Sequence, residues 1–209
     1  MTAEDYARAR RILLRRDPVL AALIRRQGPC GLAAARRADH FSALVRAITF
    51  QQLSTKAAST IYSRMVALMP GSVPTPDAFA RLTDDELRAA GMSRQKTAYL
   101  RDLCEKVSNG AVDLDALDAL DDEAIIASLV KVKGIGRWSA EMFLIFRLLR
   151  PDVLPVDDLG IVTAVQKAYR LRKKPSAERL RRIGEAWRPY RSIASWYLWR
   201  SLDKTPVAK

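Results

Sequence analysis

Short apolar stretches at helical spacing, each preceded by a residue type that caps helices, recur along the chain. Ser54 precedes 55–68, where Ala57, Ala58, Ile61, Met65 and Leu68 fall on one helical face. Thr75-Pro76 reads as an N-cap with proline at the first helical position. Thr83-Asp84-Asp85-Glu86 is a capping box opening a short helix that Gly91 closes. A further helix is predicted over 99–107, stopped at Asn109-Gly110, and others over 121–130, 137–149 and 159–169. The last pair, 177–187 and 191–202, is separated by Pro189. Strict alternation is lacking, and only nine glycines and ten prolines punctuate 209 residues. The chain is therefore predicted to be all-α, with about nine or ten helices and no strand.

Charge narrows the partner. Lys plus Arg number 36 against 23 Asp plus Glu, a formal net charge of +13. Such an excess favours a polyanion, nucleic acid or an anionic membrane surface. No apolar run approaches the roughly 20 residues of a membrane span, and 1–16 lacks the unbroken apolar core of a secretory signal. A soluble intracellular protein is expected. The two cysteines, Cys30 and Cys104, cannot supply a disulfide framework or a four-thiolate cluster. A single histidine, His40, excludes a His-rich zinc site but leaves a Ser-His-Asp triad open.

The densest signal is Val132-Lys133-Gly134-Ile135-Gly136-Arg137, with Ser139-Ala140 just inside the next predicted helix. Two glycines two residues apart let the backbone turn tightly and approach another surface. The N–H groups opening the following helix then suit an anion such as a phosphodiester, with Lys131, Lys133 and Arg137 beside them. Ile135 is expected to tuck inward and pin the turn. An ordinary helix–helix turn is the plainer reading, while a Rossmann or P-loop reading fails because no strand precedes the glycines. Residues 87–94 echo 130–137 weakly, with one glycine in place of two. About twenty residues on stand Asp157 and Asp158, before Leu159-Gly160-Ile161. Either can be a mere N-cap or an electrostatic catalyst held at a helix N-terminus.

The run 133–140, followed by Leu154-Pro155-Val156-Asp157-Asp158-Leu159-Gly160, resembles the helix-hairpin-helix DNA glycosylase superfamily. Two more segments narrow the resemblance. Ile48-Thr49-Phe50-Gln51-Gln52-Leu53-Ser54, and 187–192 continuing through Trp196-Tyr197-Leu198-Trp199, are similar to the 3-methyladenine DNA glycosylase II family, the alkylation-repair branch. The resemblance runs from about residue 20 to 202 and is to the compact form without an N-terminal β-rich domain. It implies an all-α helix-hairpin-helix fold of two lobes around a DNA-binding cleft, one spanning 40–150 and the other pairing 1–39 with 151–209. The implied activity is hydrolytic excision of alkylated purines, 3-methyladenine and 7-methylguanine, from double-stranded DNA by a monomer. The location would be the nucleoid in a bacterium or the nucleus in a eukaryote. A non-catalytic hairpin protein, or a glycosylase for another lesion, is the alternative.

The same resemblance assigns roles. Asp158, aligned before Leu-Gly-Ile, becomes the catalytic carboxylate. Trp138 and Trp199 are implied to flank the extruded base, although tryptophans in a helical protein are often simply core. The family's tyrosines at two further pocket positions are Leu159 and Met142 here. Gln52 takes the plug position of the wedge loop, with Leu53 beside it; a plain interhelical turn is the alternative. Gly134, Gly136, Arg137 and Ser139 are implied to hold the DNA backbone, and Lys56, Arg94, Lys96 and Arg191 are candidate phosphate contacts. No cofactor is implied for catalysis. A structural Na⁺ or K⁺ at the hairpin would sit on the carbonyls of Val130, Val132 and Ile135. Bifunctional relatives carry a lysine amine nucleophile at position 138. Tryptophan there implies no strand scission.

Overall fold

The structure, a computed structural model, describes residues 1–34 and 39–203. Parts of the predicted lobe formed by 1–39 and 151–209, namely 35–38 and 204–209, lie outside the described residues. The elements are α1 (Ala3–Arg16), α2 (Pro18–Gln27), α3 (His40–Phe50), α4 (Thr55–Ala67), α5 (Pro76–Arg81) and α6 (Asp84–Ala89). They continue with α7 (Arg94–Ser108), α8 (Asp122–Leu129), α9 (Arg137–Phe146), α10 (Leu159–Ala168), α11 (Ala177–Gly184) and α12 (Arg191–Arg200). Short 3₁₀ turns connect them, and no strand occurs among the described residues.

Caps explain where these helices begin. Ser54, Thr75, Ser93, Asp121, Asp158 and Ser176 each accept a backbone N–H of their helix's first turn, satisfying donors a helix start leaves open. Thr83 and Glu86 form the predicted capping box. Three helices ahead of the first predicted one carry the same signals, α3 through Asp39, whose side chain accepts the Ser42 N–H at 2.8 Å. Thr2 makes a capping box with Asp5, and Asp17-Pro18 sets an N-cap with proline at the first position. The helix predicted over 99–107 begins earlier, at Arg94, because Ser93 caps it.

The chain divides into two compact units, Met1–Arg36 with Leu144–Lys209, and Arg37–Phe143. Against lobes drawn at 40 and 150 from the resemblance, the second change of unit comes earlier, within α9. In the Arg37–Phe143 unit, the long helix α7 packs on α3, α5 and α6. Leu44, Ile48, Phe79, Leu87, Leu100 and Leu103 are fully buried there. Cations from α7 also close the C-termini of its neighbours. Arg101 donates to the Phe79 carbonyl at 2.5 Å and to the Leu82 carbonyl at the end of α5. Such a cation satisfies terminal carbonyls and complements the helix dipole.

The echo in the sequence is a structural one. Gly91 between α6 and α7 has φ 103°, and Gly134 between α8 and α9 has φ 82°. Met92 and Ile135, one residue on, are both buried. Each corner thus turns on a left-handed glycine and is pinned by the next side chain, as predicted for Ile135.

In the other unit, α12 packs on α1, α2 and α10. Leu13, Leu20, Ile24, Ile161, Trp187 and Tyr197 fill its core. Buried Asp17 accepts from the Val19 and Leu20 N–H groups at 2.9 and 3.0 Å, from Trp187 Nε1 at 2.8 Å, and from the Tyr169 hydroxyl. One carboxylate therefore joins α2, α10's C-terminus and the turn before α12. Arg191 donates to Asp152 Oδ1 at 2.8 Å and to its carbonyl at 2.7 Å, and Ser192 Oγ accepts the Val153 N–H at 3.0 Å. These bonds fix the stretch leading into α10.

Candidate active site

In the first unit, the site is built on the N-terminus of α10. Asp158 is its N-cap and only 8% exposed, whereas Asp157 lies on the surface. Asp158 Oδ1 accepts the Ile161 N–H at 2.7 Å and the Trp199 indole N–H at 2.9 Å. Capping alone accounts for the first bond; the second comes from α12, forty-one residues away. It orients the carboxylate against an aromatic wall. Gly160 makes that approach possible. A Cβ there would lie 2.9 Å from Asp158 Oδ1 and 3.0 Å from Trp199 Cδ1.

Trp199 is half-buried, and its ring meets Phe146 at 5.5 Å between centroids with a 31° tilt. Phe146 is 43% exposed, and Leu159, directly after Asp158, is 66% exposed. Large apolar side chains left in water beside a buried carboxylate suit a site that receives a flat ligand. Phe146 was not among the residues singled out from the sequence. Its helix reads as plain core, and only the pairing with Trp199 marks it.

The second unit carries the hairpin and the wedge loop. Gly134 presses on Tyr99: a Cβ would overlap the ring at 2.2 Å, and φ 82° already favours glycine. Gly136 differs, since nothing lies within 4 Å of its Cβ position. Its openness is exposed surface at the start of α9, where helix N–H groups point outward. Ser139 is half-buried on that first turn. Asp102 accepts the Lys133 backbone N–H at 2.8 Å and the Lys106 ammonium at 2.6 Å. Burial pushes the Asp102 carboxyl up, but bonds from Lys106 and Lys133 outweigh it and leave it below the ordinary range.

Gln52 in the wedge loop is exposed and has φ 56°, a left-handed conformation that costs a non-glycine residue about 1 kcal/mol or more. Leu53 beside it is also exposed. Gln51 Nε2 donates to the Gly134 carbonyl at 2.8 Å, joining wedge loop to hairpin. Trp138 is 46% exposed. It lines a cavity of about 550 Å³ together with Gln51, Gln52, Tyr99, Gly134 and Met142. The structure therefore gathers Trp138, Met142 and the wedge residues in one unit, and Asp158, Leu159 and Trp199 in the other.

Several predicted phosphate contacts are otherwise engaged. Arg137 holds Glu123 at 3.0 and 2.5 Å and Glu141 at 3.2 Å. Its guanidinium pKa is pushed up, chiefly by the Glu123 bond. Arg191 is bound to Asp152 as described, and Lys96 Nζ donates to the Thr49 and Gln51 carbonyls at 2.6 and 2.7 Å. Lys96 and Arg191 are thus internal ties rather than exposed cations. Lys56, Arg94, Lys131 and Lys133 are exposed. The Val132 carbonyl accepts the Ile135 N–H at 3.0 Å and keeps a second lone pair.

A hairpin of this construction between two helices defines a helix-hairpin-helix protein. The chain belongs to the HhH-GPD superfamily of base excision DNA repair proteins, which matches residues 45–189. It is 36% identical over 165 residues to DNA-3-methyladenine glycosylase 1 of Schizosaccharomyces pombe, covering 78% of this chain and 72% of that protein. The solved structure of the S. pombe 3-methyladenine DNA glycosylase in complex with abasic DNA superimposes with a TM-score of 0.81 at 31% identity, covering 97% of this chain and 100% of that one. A DNA-3-methyladenine glycosidase from Bacillus halodurans gives 0.84 at 36% identity, over 93% of this chain and 88% of that one.

Proposed function

We propose that this protein is a monofunctional DNA glycosylase that removes alkylated purines, 3-methyladenine and 7-methylguanine, from duplex DNA by hydrolysis, acting as a monomer. The observation that carries the reading is the buried Asp158 carboxylate, held by the Ile161 N–H and by Trp199 Nε1. A mere cap needs no second donor from a distant helix. Relatives named as 3-methyladenine glycosylases support the substrate class.

The chemistry follows from charge. As the C1′–N bond breaks, its electron pair moves onto the base nitrogen and neutralises the positive charge that alkylation placed there. The base then leaves without a general acid. Positive charge builds on the deoxyribose, and an anion at Asp158 stabilises it. Water adds to C1′ and gives up a proton, with Asp158 positioned to accept it. Extrusion of the base costs a few kcal/mol. Gln52 and Leu53 fill the vacated space, and Trp138, Met142, Trp199 and Leu159 hold the base. Stacking a base on an aromatic face is worth about 1–3 kcal/mol, with a cation–π contribution for a charged purine. The hairpin, with Gly134, Gly136, Arg137 and Ser139, holds the backbone; the carbonyls of Val130, Val132 and Ile135 would hold a Na⁺ or K⁺, which would supply positive charge beside a phosphate. Trp138 has no amine with which to form a Schiff base, so the product is an intact strand with an abasic site.

The test is base release and strand integrity on methylated duplex DNA, with wild type beside Asp158→Asn. Free 3-methyladenine from intact strands, lost in the variant while binding survives, is the expected result. Binding without release in the wild type would reduce the protein to a non-catalytic hairpin binder or an enzyme for another lesion. Activity retained in Asp158→Asn would overturn the role of Asp158.

A further inference from the structure

Lys96 is misplaced for its own helix. It lies in the first turn of α7, where no acidic residue occurs and where a cation opposes the helix dipole. Burial also pushes its ammonium pKa down. Both costs are offset at the other end of the side chain. Nζ sits on the C-terminal carbonyls of α3, Thr49 at 2.6 Å and Gln51 at 2.7 Å, where a cation is favoured. The clamp falls one and three residues before Gln52, whose backbone is in the left-handed region.

The clamp does not act alone. Lys96, Tyr99, Asp102 and Lys106 lie at three- and four-residue spacing along one face of α7. Lys96 holds the wedge loop. Tyr99 lies under Gly134, and Asp102, itself paired with Lys106, holds the Lys133 N–H of the hairpin at 2.8 Å. Gln51 closes the circuit by donating its side-chain amide to the Gly134 carbonyl at 2.8 Å. One rigid helix therefore sets the distance between the loop that carries the plug and the loop that suits a phosphodiester.

We infer that Lys96 is a positioning residue for base extrusion, braced through α7 and Gln51 so that Gln52 pushes against a backbone held at the hairpin. The inference rests on the glycosylase reading above. Without the clamp, the α3 terminus frays and the push at Gln52 is absorbed by the loop instead of the base pair.

A pair of substrates tests this. Single-turnover release of 7-methylguanine is measured from a paired duplex and from the same lesion in an unpaired bubble, which needs little extrusion. Lys96→Met is expected to slow release from the duplex by about 10–100-fold, the scale of losing charge-assisted hydrogen bonds, and to leave the bubble rate near wild type. Lys96→Arg, which keeps a cationic donor, is expected to recover part of the loss. Equal slowing on both substrates, or none on either, would overturn the inference. If Lys96→Met does not fold, Gln51→Leu cuts the bond to Gly134 and is expected to give the same duplex-selective loss. Equal slowing or no slowing in Gln51→Leu would overturn the inference in the same way. Should wild type release no base at all, the glycosylase reading fails separately. The clamp is then read from 2-aminopurine fluorescence in a duplex carrying an abasic analogue. Lys96→Met is expected to weaken the wild-type unstacking signal, and an unchanged signal would overturn it.

Discussion

Gly160→Ala sets two physical effects against each other. Gly160 is the second residue of α10, with no positive φ to protect. On helix propensity alone, alanine is better there by up to about 1 kcal/mol, which would raise the melting temperature by roughly 2–4 °C for a chain this long. The structure predicts the reverse. The added Cβ would stand 2.9 Å from Asp158 Oδ1, and 3.0 and 3.2 Å from Trp199 Cδ1 and Nε1, where ordinary contacts begin near 3.4 Å. Neither neighbour can yield cheaply. Asp158 is held at 2.7 Å by the Ile161 N–H, and Trp199 is backed by Phe146.

Relieving such an overlap costs about 1–3 kcal/mol, enough to cancel the propensity gain or exceed it. Whichever side chain moves, the 2.9 Å bond between them lengthens. Losing a hydrogen bond to a charged acceptor is worth about 1.5–3 kcal/mol, or about 10–100-fold in rate. The expected result is an unchanged or lowered melting temperature with base release slowed by that factor. Differential scanning calorimetry and single-turnover assays on one preparation measure both. A more stable variant with the wild-type rate would show that Gly160 is not what lets Trp199 reach Asp158.

Trp199→Phe keeps an aromatic face but removes the indole donor, so we expect base release to fall by about 10–100-fold while binding to an abasic duplex changes little; equal losses in both would mean the ring matters only for stacking. Burial pushes the thiols of Cys30 and Cys104 up to about 11. At pH 8 only about a thousandth of each is thiolate, so a disulfide reagent should label them slowly until denaturant is added. The folded state also keeps these protons where the unfolded chain, titrating near 9, releases them. Stability should therefore fall as pH rises from about 9 towards 11, and a melting temperature that stays flat there would contradict the burial.

Elements that announce themselves by caps were legible in the sequence, and Ser54, Thr75, Thr83 and Asp158 all cap where their residue types suggested. The hairpin was legible for the same reason: Gly134 has a local conformational duty. Asp158 could be told from Asp157 only by its place before Leu159-Gly160-Ile161, because adjacent carboxylates have the same local chemistry. Burial and a donor from α12 separate them in space. Side chains whose duty is wholly tertiary stayed hidden. Lys96 and Arg191 read as exposed cations because a sequence shows the charge and not the carbonyls or the carboxylate that meet it. Phe146 became visible only when α9 and α12 brought its ring against Trp199.

That lesson applies to the net charge as a whole. Were each of the 13 excess positive charges to neutralise a phosphate, the logarithm of the binding constant would fall against the logarithm of salt with a slope near −12, at about −0.9 per phosphate. Some of the basic inventory serves the fold, and most of the rest is spread over the surface. Lys96 and Arg101 close helix C-termini and Arg191 holds Asp152, while Arg137 stays exposed at the hairpin with its charge offset by Glu123 and Glu141, so that its contact with the backbone adds little net charge. Near the hairpin and wedge loop, Lys56, Arg94, Lys131 and Lys133 stay exposed, and neutral N–H groups at the start of α9 release no counterions of their own. A slope of about −4 is therefore expected for duplex binding, one unit for each of roughly four such cations. Fluorescence anisotropy from low to moderate salt measures it. A slope near −12 would mean that the dispersed positive surface, and not the hairpin neighbourhood, carries the affinity. Exposed cations far from the hairpin would then have to be counted as part of the DNA footprint.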